Sequence, residues 1–94
     1  MNTQRKPVMF YFERLEQMRD FGSFRVEAVF ETHKEAEQSG RKPAWYSVIG
    51  QFRPDVQFQY PEFPVADFPC ENYAKLFAEM CEQYITDQAI AMTA

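Results

Sequence analysis

The sequence predicts a two-layer α+β domain: about four antiparallel strands in meander order, with one C-terminal helix across a face of the sheet. Three observations carry this. In Phe24–Glu31, residues Phe24, Val26, Ala28 and Phe30 point one way and Arg25, Glu27 and Glu31 the other, the period of two of a half-buried strand. Ala44–Phe52 is a second β-favouring run beyond a polar connection, so the two read as a hairpin at the centre of the sheet. Past Pro69, Tyr73, Leu76, Phe77, Met80, Tyr84 and Ile85 recur at helical spacing. Strands followed by a packed helix define the class.

Each element follows in order. Met1–Lys6 is polar. Pro7 then opens Val8–Phe12, a short strand with Val8, Phe10 and Phe12 on one face and Met9 and Tyr11 on the other. Glu13–Ser23 fits a helix of one or two turns or a loose connection equally well. Leu15 and Met18 stand at helical spacing, and Gly22 suits a turn. Strand two is the alternating run from Phe24. Thr32–Lys42 has helix-favouring composition but no apolar stripe, so an exposed, mobile arm is expected. Pro43 leads into strand three, where Gly50 marks a bulge or a close backbone approach.

Pro54-Asp55 signals a turn. Val56–Tyr60 then alternates, with Val56, Phe58 and Tyr60 inward, as a fourth strand. Pro61–Pro69 holds three prolines, which argues against a central strand and for an extended segment along the domain edge. In the helix, Glu71, Lys75, Glu79 and Glu82 oppose the apolar residues. Glu71 and Lys75 form a favourable i,i+4 pair. Asp67 or Asn72 is the expected N-terminal cap, and fraying is expected after Ile85–Ala89.

Length and composition bound the rest. Ninety-four residues support a single domain over 1–94, and ten Phe, five Tyr and one Trp supply a core that a disordered chain would lack. The net charge of −4 is divided unevenly. Residues 1–53 carry nine Lys/Arg and seven Asp/Glu, or +2; residues 54–94 carry one Lys and seven Asp/Glu, or −6. Overall acidity disfavours non-specific DNA binding, which draws its affinity from Lys and Arg. The acidic C-terminal part reads as a solvated helix or as a surface for a basic partner.

Cys70 and Cys81 lie eleven residues apart. On one helix that is about 16 Å, beyond the reach of a disulfide. Two unpaired thiols, no secretory signal and no apolar run longer than Val8–Phe12 lead to the expectation of a cytoplasmic protein without a membrane segment.

No catalytic or metal constellation emerges, and neither a cofactor nor an enzyme activity is expected. His33 is the only histidine and sits in the polar arm between Glu31 and Glu35. Cys81 reads as a small core residue; Cys70, near the helix N-terminus, is the more reactive thiol. The Glu35/Glu37 and Glu79/Glu82 pairs read as solvated faces. The three glycines stand too far apart to cradle a phosphate.

The second sheet face is more informative. If Tyr46, Val48 and Phe52 face the helix, then Trp45, Ser47 and Ile49 face outward, joined by Val29 of strand two and by Met9 and Tyr11 of strand one. A meander would gather these into one apolar patch with a charged rim, of the kind that marks an interface. Cover by the arm or by the proline-rich segment is the alternative. The leading expectation is therefore a non-catalytic protein-binding module, a small acidic regulator or inhibitor of a larger assembly such as a nucleic-acid-handling or defence complex. Its expected partner-binding residues are Met9, Tyr11, Val29, Trp45, Ile49, Glu71, Glu79 and Glu82. On the helix, Glu71, Glu79, Glu82 and Asp87 could stand where phosphates would. Phage- and plasmid-encoded anti-restriction and anti-CRISPR inhibitors are similar in size and charge, and no motif identifies such a family here. One alternative is a nucleic-acid-binding sheet, with Tyr11 and Trp45 stacking bases and Arg14, Arg25, Arg41, Lys42 and Arg53 meeting phosphates. Another is a homodimeric accessory subunit joined through the Trp45 face.

Overall fold

The computed structural model describes residues 7–30 and 43–93. The elements are β1 (Met9–Phe10), a 3₁₀ helix (Leu15–Asp20), β2 (Phe21–Val29), β3 (Trp45–Phe52), β4 (Glu62–Phe68) and α1 (Glu71–Thr93). The strands form one antiparallel sheet in the order β1-β4-β3-β2, and α1 covers one face. This is the two-layer α+β architecture that the sequence predicts.

The strand order and the identity of the fourth strand depart from expectation. The sheet is not a sequential meander: β1 crosses to pair with β4, Met9 opposite Asp67 and Phe10 opposite Ala66. Val56–Tyr60 is not a strand. The Val56 N–H donates to the Arg53 carbonyl at 3.0 Å, closing a turn, and Phe58 and Tyr60 are exposed rather than inward. The proline-rich segment is the fourth strand instead, and it lies inside the sheet between β1 and β3. Its prolines sit where a missing donor costs little. Pro61 and Pro69 flank β4, and the Pro61 carbonyl accepts the Phe52 N–H at 3.0 Å. Pro64 is exposed and pairs with Ile49 beside a register shift. The β1 ladder reaches only Asp67 and Ala66, so among the described residues no strand residue faces Pro64 from that side.

The connection after β1 resolves to the 3₁₀ helix, and Met18 is fully buried beneath it. Gln17 caps its start: the side-chain Oε1 accepts the Glu13 and Arg14 N–H groups at 2.7 and 3.0 Å. Gly22 is not a turn residue. It lies within β2, which begins at Phe21 with a register shift between Phe21 and Ser23. The expected mobile arm, with His33, Arg41 and Lys42, lies outside the described residues.

Helix α1 buries the face that apolarity alone selects only in part: Phe77 is buried and Tyr84 and Ile85 pack against the core, but Tyr73, Leu76 and Met80 do not. Ala74, Phe77, Ala78 and Cys81 are buried, at i, i+3, i+4 and i+7. Tyr73, Leu76 and Met80 are 59, 64 and 53% exposed. The cause is size: Ala74, Ala78 and Cys81 let the helix approach a sheet face already crowded by Phe21, Phe24 and Phe68. Tyr46, Val48 and Phe52 face this layer, as expected. The N-terminal cap is also a correction. The Cys70 carbonyl accepts the Ala74 N–H at 3.2 Å, which makes Cys70 the capping position; Asp67 is buried in β4 and Asn72 is inside the helix. The helix runs on to Thr93 rather than ending near Ala89.

Candidate functional site

Two surfaces hold the residues singled out in the sequence. The first is the sheet face opposite α1. Because side chains alternate along each strand, β3 turns Trp45, Ser47 and Ile49 to this face while Val48 enters the core. Val29 lies directly across from Trp45, and Met9 directly across from Asp67. Tyr11 follows β1 on the same side. The five expected patch residues thus share one face, but β4 stands between β1 and β3 and divides them. Met9 and Tyr11 lie on one side of β4; Trp45, Ile49 and Val29 lie on the other.

The middle of this face is polar. Asp67 is 4% exposed and Ser47 7%. The Ser47 hydroxyl donates to Asp67 Oδ1 at 2.5 Å, the Tyr11 hydroxyl donates to Asp67 Oδ2, and the Trp45 indole N–H donates to Ser47 Oγ at 3.2 Å. A buried carboxylate is tolerable because both oxygens receive O–H donors. The bond to Asp67 is the first cause of a raised Tyr11 pKa, and burial adds to it. Beyond this network, Arg25 bridges Glu62 and Glu27. Its guanidinium holds the Glu62 carboxyl below the usual range, and Glu62 raises the Arg25 pKa in return. Among the described residues the face is therefore mixed in character, with a polar centre between its apolar side chains.

The second surface is α1. Tyr73, Leu76 and Met80 are spaced i, i+3 and i+7, so they form one row along the helix. Tyr73 and Met80 flank Phe77, at i−4 and i+3. The Phe77 ring packs on Phe10, Phe12 and Phe68 with centroids 5.5, 6.1 and 5.4 Å apart. Phe10 is itself 51% exposed, so the row borders further apolar surface at the β1 edge of the sheet. Glu79 lies beside the row, three residues on from Leu76. Asp87 continues its line and accepts a hydrogen bond from Gln83 at 2.8 Å. Glu71 and Glu82 lie further round the exposed surface, and Glu71 meets Lys75 at 3.6 Å in the expected pair.

Sequence reasoning placed Tyr73, Leu76 and Met80 in the core and did not single out Ser47 or Asp67 as partners. A preference for small residues at close helix–sheet contacts was the available signal for the first. The second had none, since Asp67 finds its partners 56 and 20 residues away.

Both cysteines are free thiols; Cys81 is fully buried and Cys70 half-buried. Burial, aided by neighbouring Glu82, pushes the Cys81 thiol up to about 12. Among the described residues, no group of three His, Cys, Asp or Glu is placed to hold a metal ion, and no helix is long and apolar enough to cross a membrane. Comparisons with protein-family models, with curated proteins and with solved structures found no match.

Proposed function

We propose that this chain is a non-catalytic protein-binding module, a small acidic regulator or inhibitor, and that it engages a basic partner through α1. The observation that carries the reading is the row Tyr73, Leu76 and Met80, each more than half exposed on a helix that had smaller residues available for its core face. Large exposed apolar side chains in a continuous row are a cost in water and a source of affinity in an interface. The carboxylates of Glu71, Glu79, Glu82 and Asp87 outnumber Lys75 on the same helix, and they favour approach by a positively charged surface. The sheet face with Trp45 contributes less, because its centre is already hydrogen-bonded internally.

The nucleic-acid reading draws little support. Arg25 is held by two carboxylates, Arg53 lies 3.3 Å from Asp55, and Trp45 is half-buried with its N–H on Ser47.

The test is affinity capture from source-cell lysate, comparing the natural sequence with Leu76→Gln/Met80→Gln, with the triple Glu71→Gln/Glu79→Gln/Glu82→Gln and with Trp45→Ala. A stoichiometric protein partner is expected. The apolar pair should abolish its capture, the triple should weaken it and flatten its salt dependence, and Trp45→Ala should retain it. Capture that survives both helix variants sinks the reading. Recovery of the chain alone, as a dimer that Trp45→Glu dissociates, replaces it with the homodimeric one.

A further inference from the structure

We infer that the aromatic pocket beside the 3₁₀ helix is a binding site for an organic cation of the methylated-ammonium class. The pocket has a volume of about 250 Å³ and lies where the 3₁₀ helix, the start of β2, the end of β3 and the start of β4 converge. That is below the usual range of roughly 300–1,000 Å³ for whole small-molecule sites, and it suits a single compact group. No residue of α1 lines it, so the inference stands apart from the reading of the helix surface.

The walls are aromatic. Phe52 and Phe58 have centroids 4.8 Å apart, tilted by 40°. Phe58 and Phe63 stand 6.3 Å apart and nearly perpendicular, at 87°, so they form a corner. Phe12, Phe21 and Tyr11 complete the aromatic part of the lining, and Met18 and Val65 add aliphatic surface. Phe58 is 54% exposed on the turn before β4, where a polar residue would serve a solvated turn better. An exposed ring that lines an aromatic pocket has a use if something enters.

The polar groups at the pocket decide the charge of the ligand. The Tyr11 hydroxyl is committed to Asp67, and Gln17 Oε1 to the start of the 3₁₀ helix. Asp20 also lines the pocket, and its carboxylate has neither a hydrogen bond nor an ion pair among the described residues. Aromatic faces attract cations through the ring quadrupole, and a carboxylate adds to that attraction. An anion would be repelled by both. A bare ammonium is strongly hydrated and loses that hydration among phenyl rings, whereas methyl groups spread the charge and bury well. A methylated ammonium satisfies walls and carboxylate together. Its source is either a free quaternary ammonium compound or a methylated lysine of a protein.

The experiment titrates the full chain with choline, with the neutral isostere of choline in which carbon replaces nitrogen, and with matched peptides carrying trimethyl-lysine or unmodified lysine. Binding is read from the aromatic resonances of Phe58 and Phe63 by NMR. Saturable shifts are expected with choline, at an affinity about tenfold or more above that of the neutral isostere. Phe58→Ala should weaken choline binding about tenfold, and Asp20→Asn severalfold, with folding checked by thermal melting. Asp20 is exposed, so its variant keeps the test informative if Phe58→Ala fails to fold. A trimethyl-lysine peptide that binds more tightly than choline identifies a protein source; equal affinity identifies a free one. Equal binding of choline and its neutral isostere overturns the inference, as does the absence of shifts with every cation.

Discussion

A Cβ added to Gly50 would stand 2.5 Å from Cδ1 and 2.8 Å from Cε1 of Phe21, so the ring of Phe21 occupies the space that any side chain needs. The same ring stacks on Phe52 at 4.5 Å between centroids. Glycine here lets an aromatic side chain cross the strand and close the end of the core. Gly50→Ala must displace Phe21 and should cost about 1–3 kcal/mol, the range for overpacked cores. Urea unfolding checks this, and the cost should shrink when Phe21 is already Ala, since the two changes share one contact. The sequence offered a bulge or a close approach at Gly50, and the close approach is what the structure contains. Asp67 was illegible by comparison. A carboxylate just before a helix looks like a cap, and only the sheet register brings Ser47 and Tyr11 to it. Cys81 yields a second prediction. Its folded pKa is raised from 9.0 to about 12, so its contribution is fully present below pH 9. Between those values the unfolded chain releases the proton and the folded chain keeps it, so stability falls as pH rises. The unfolding free energy should decline from pH 9 to 11 more steeply for the natural sequence than for Cys81→Ala. At neutral pH a thiol reagent should modify Cys70 without denaturant and Cys81 only with it.

Among elements, α1 separates apolar from buried. Its sequence contains two candidate inward faces, one of large side chains and one of Ala74, Phe77, Ala78 and Cys81. A periodicity reading that weights apolarity chooses the first. Packing chooses the second because the sheet brings its own large rings, and the small residues beside Phe77 let the helix come close to them. Tyr84 and Ile85 also pack against the core, and the fully shared member, Phe77, made the helix itself legible. Its substitution should therefore differ sharply from those of its neighbours. Phe77→Ala removes a ring that touches Phe10, Phe12 and Phe68, and it should cost about 3–5 kcal/mol. Leu76→Gln and Met80→Gln should each stay within about 0.5 kcal/mol, as exposed positions do. Thermal or urea unfolding of the three variants decides it; a large loss at Leu76 would return that residue to the core. Strand β4 failed to be legible for a related reason. Proline is excluded from a strand only where the neighbour on its N–H side needs that donor, and here a two-residue β1 stops short of Pro64. Val56–Tyr60 alternated as well as β4 does, but it has no partner strand among the described residues and stays a turn.

At the scale of the whole molecule, the order β1-β4-β3-β2 ties the start of the described chain to its last strand. Two paired residues, Met9 and Phe10, do several jobs together with Tyr11 and Phe12. They cover the open edge of β4, donate the Tyr11 hydroxyl to Asp67, send the Tyr11 N–H to the Val65 carbonyl at 2.9 Å, and lay Phe10 and Phe12 on Phe77. A segment so short holds little structure of its own, so its order depends on the remainder of the fold. The remainder depends on it in turn, because its removal leaves Asp67 short of a donor and bares the β4 edge. Hydrogen exchange should rank the elements accordingly. Amides of Val48 and Ala66, in strands paired on both sides, should exchange only through global unfolding, while those of Phe10 and Tyr11 should exchange faster, through local opening. A chain that begins after Phe12 should unfold at lower urea concentration and associate through the bared edge, seen as larger species in size-exclusion chromatography. A milder change, Tyr11→Phe, removes only the hydroxyl and should cost about 1–3 kcal/mol while the chain stays monodisperse. If the truncated chain remains as stable and as monodisperse as the full one, β1 is an accessory to the sheet, and the β4–β3–β2 unit with α1 is the folding unit.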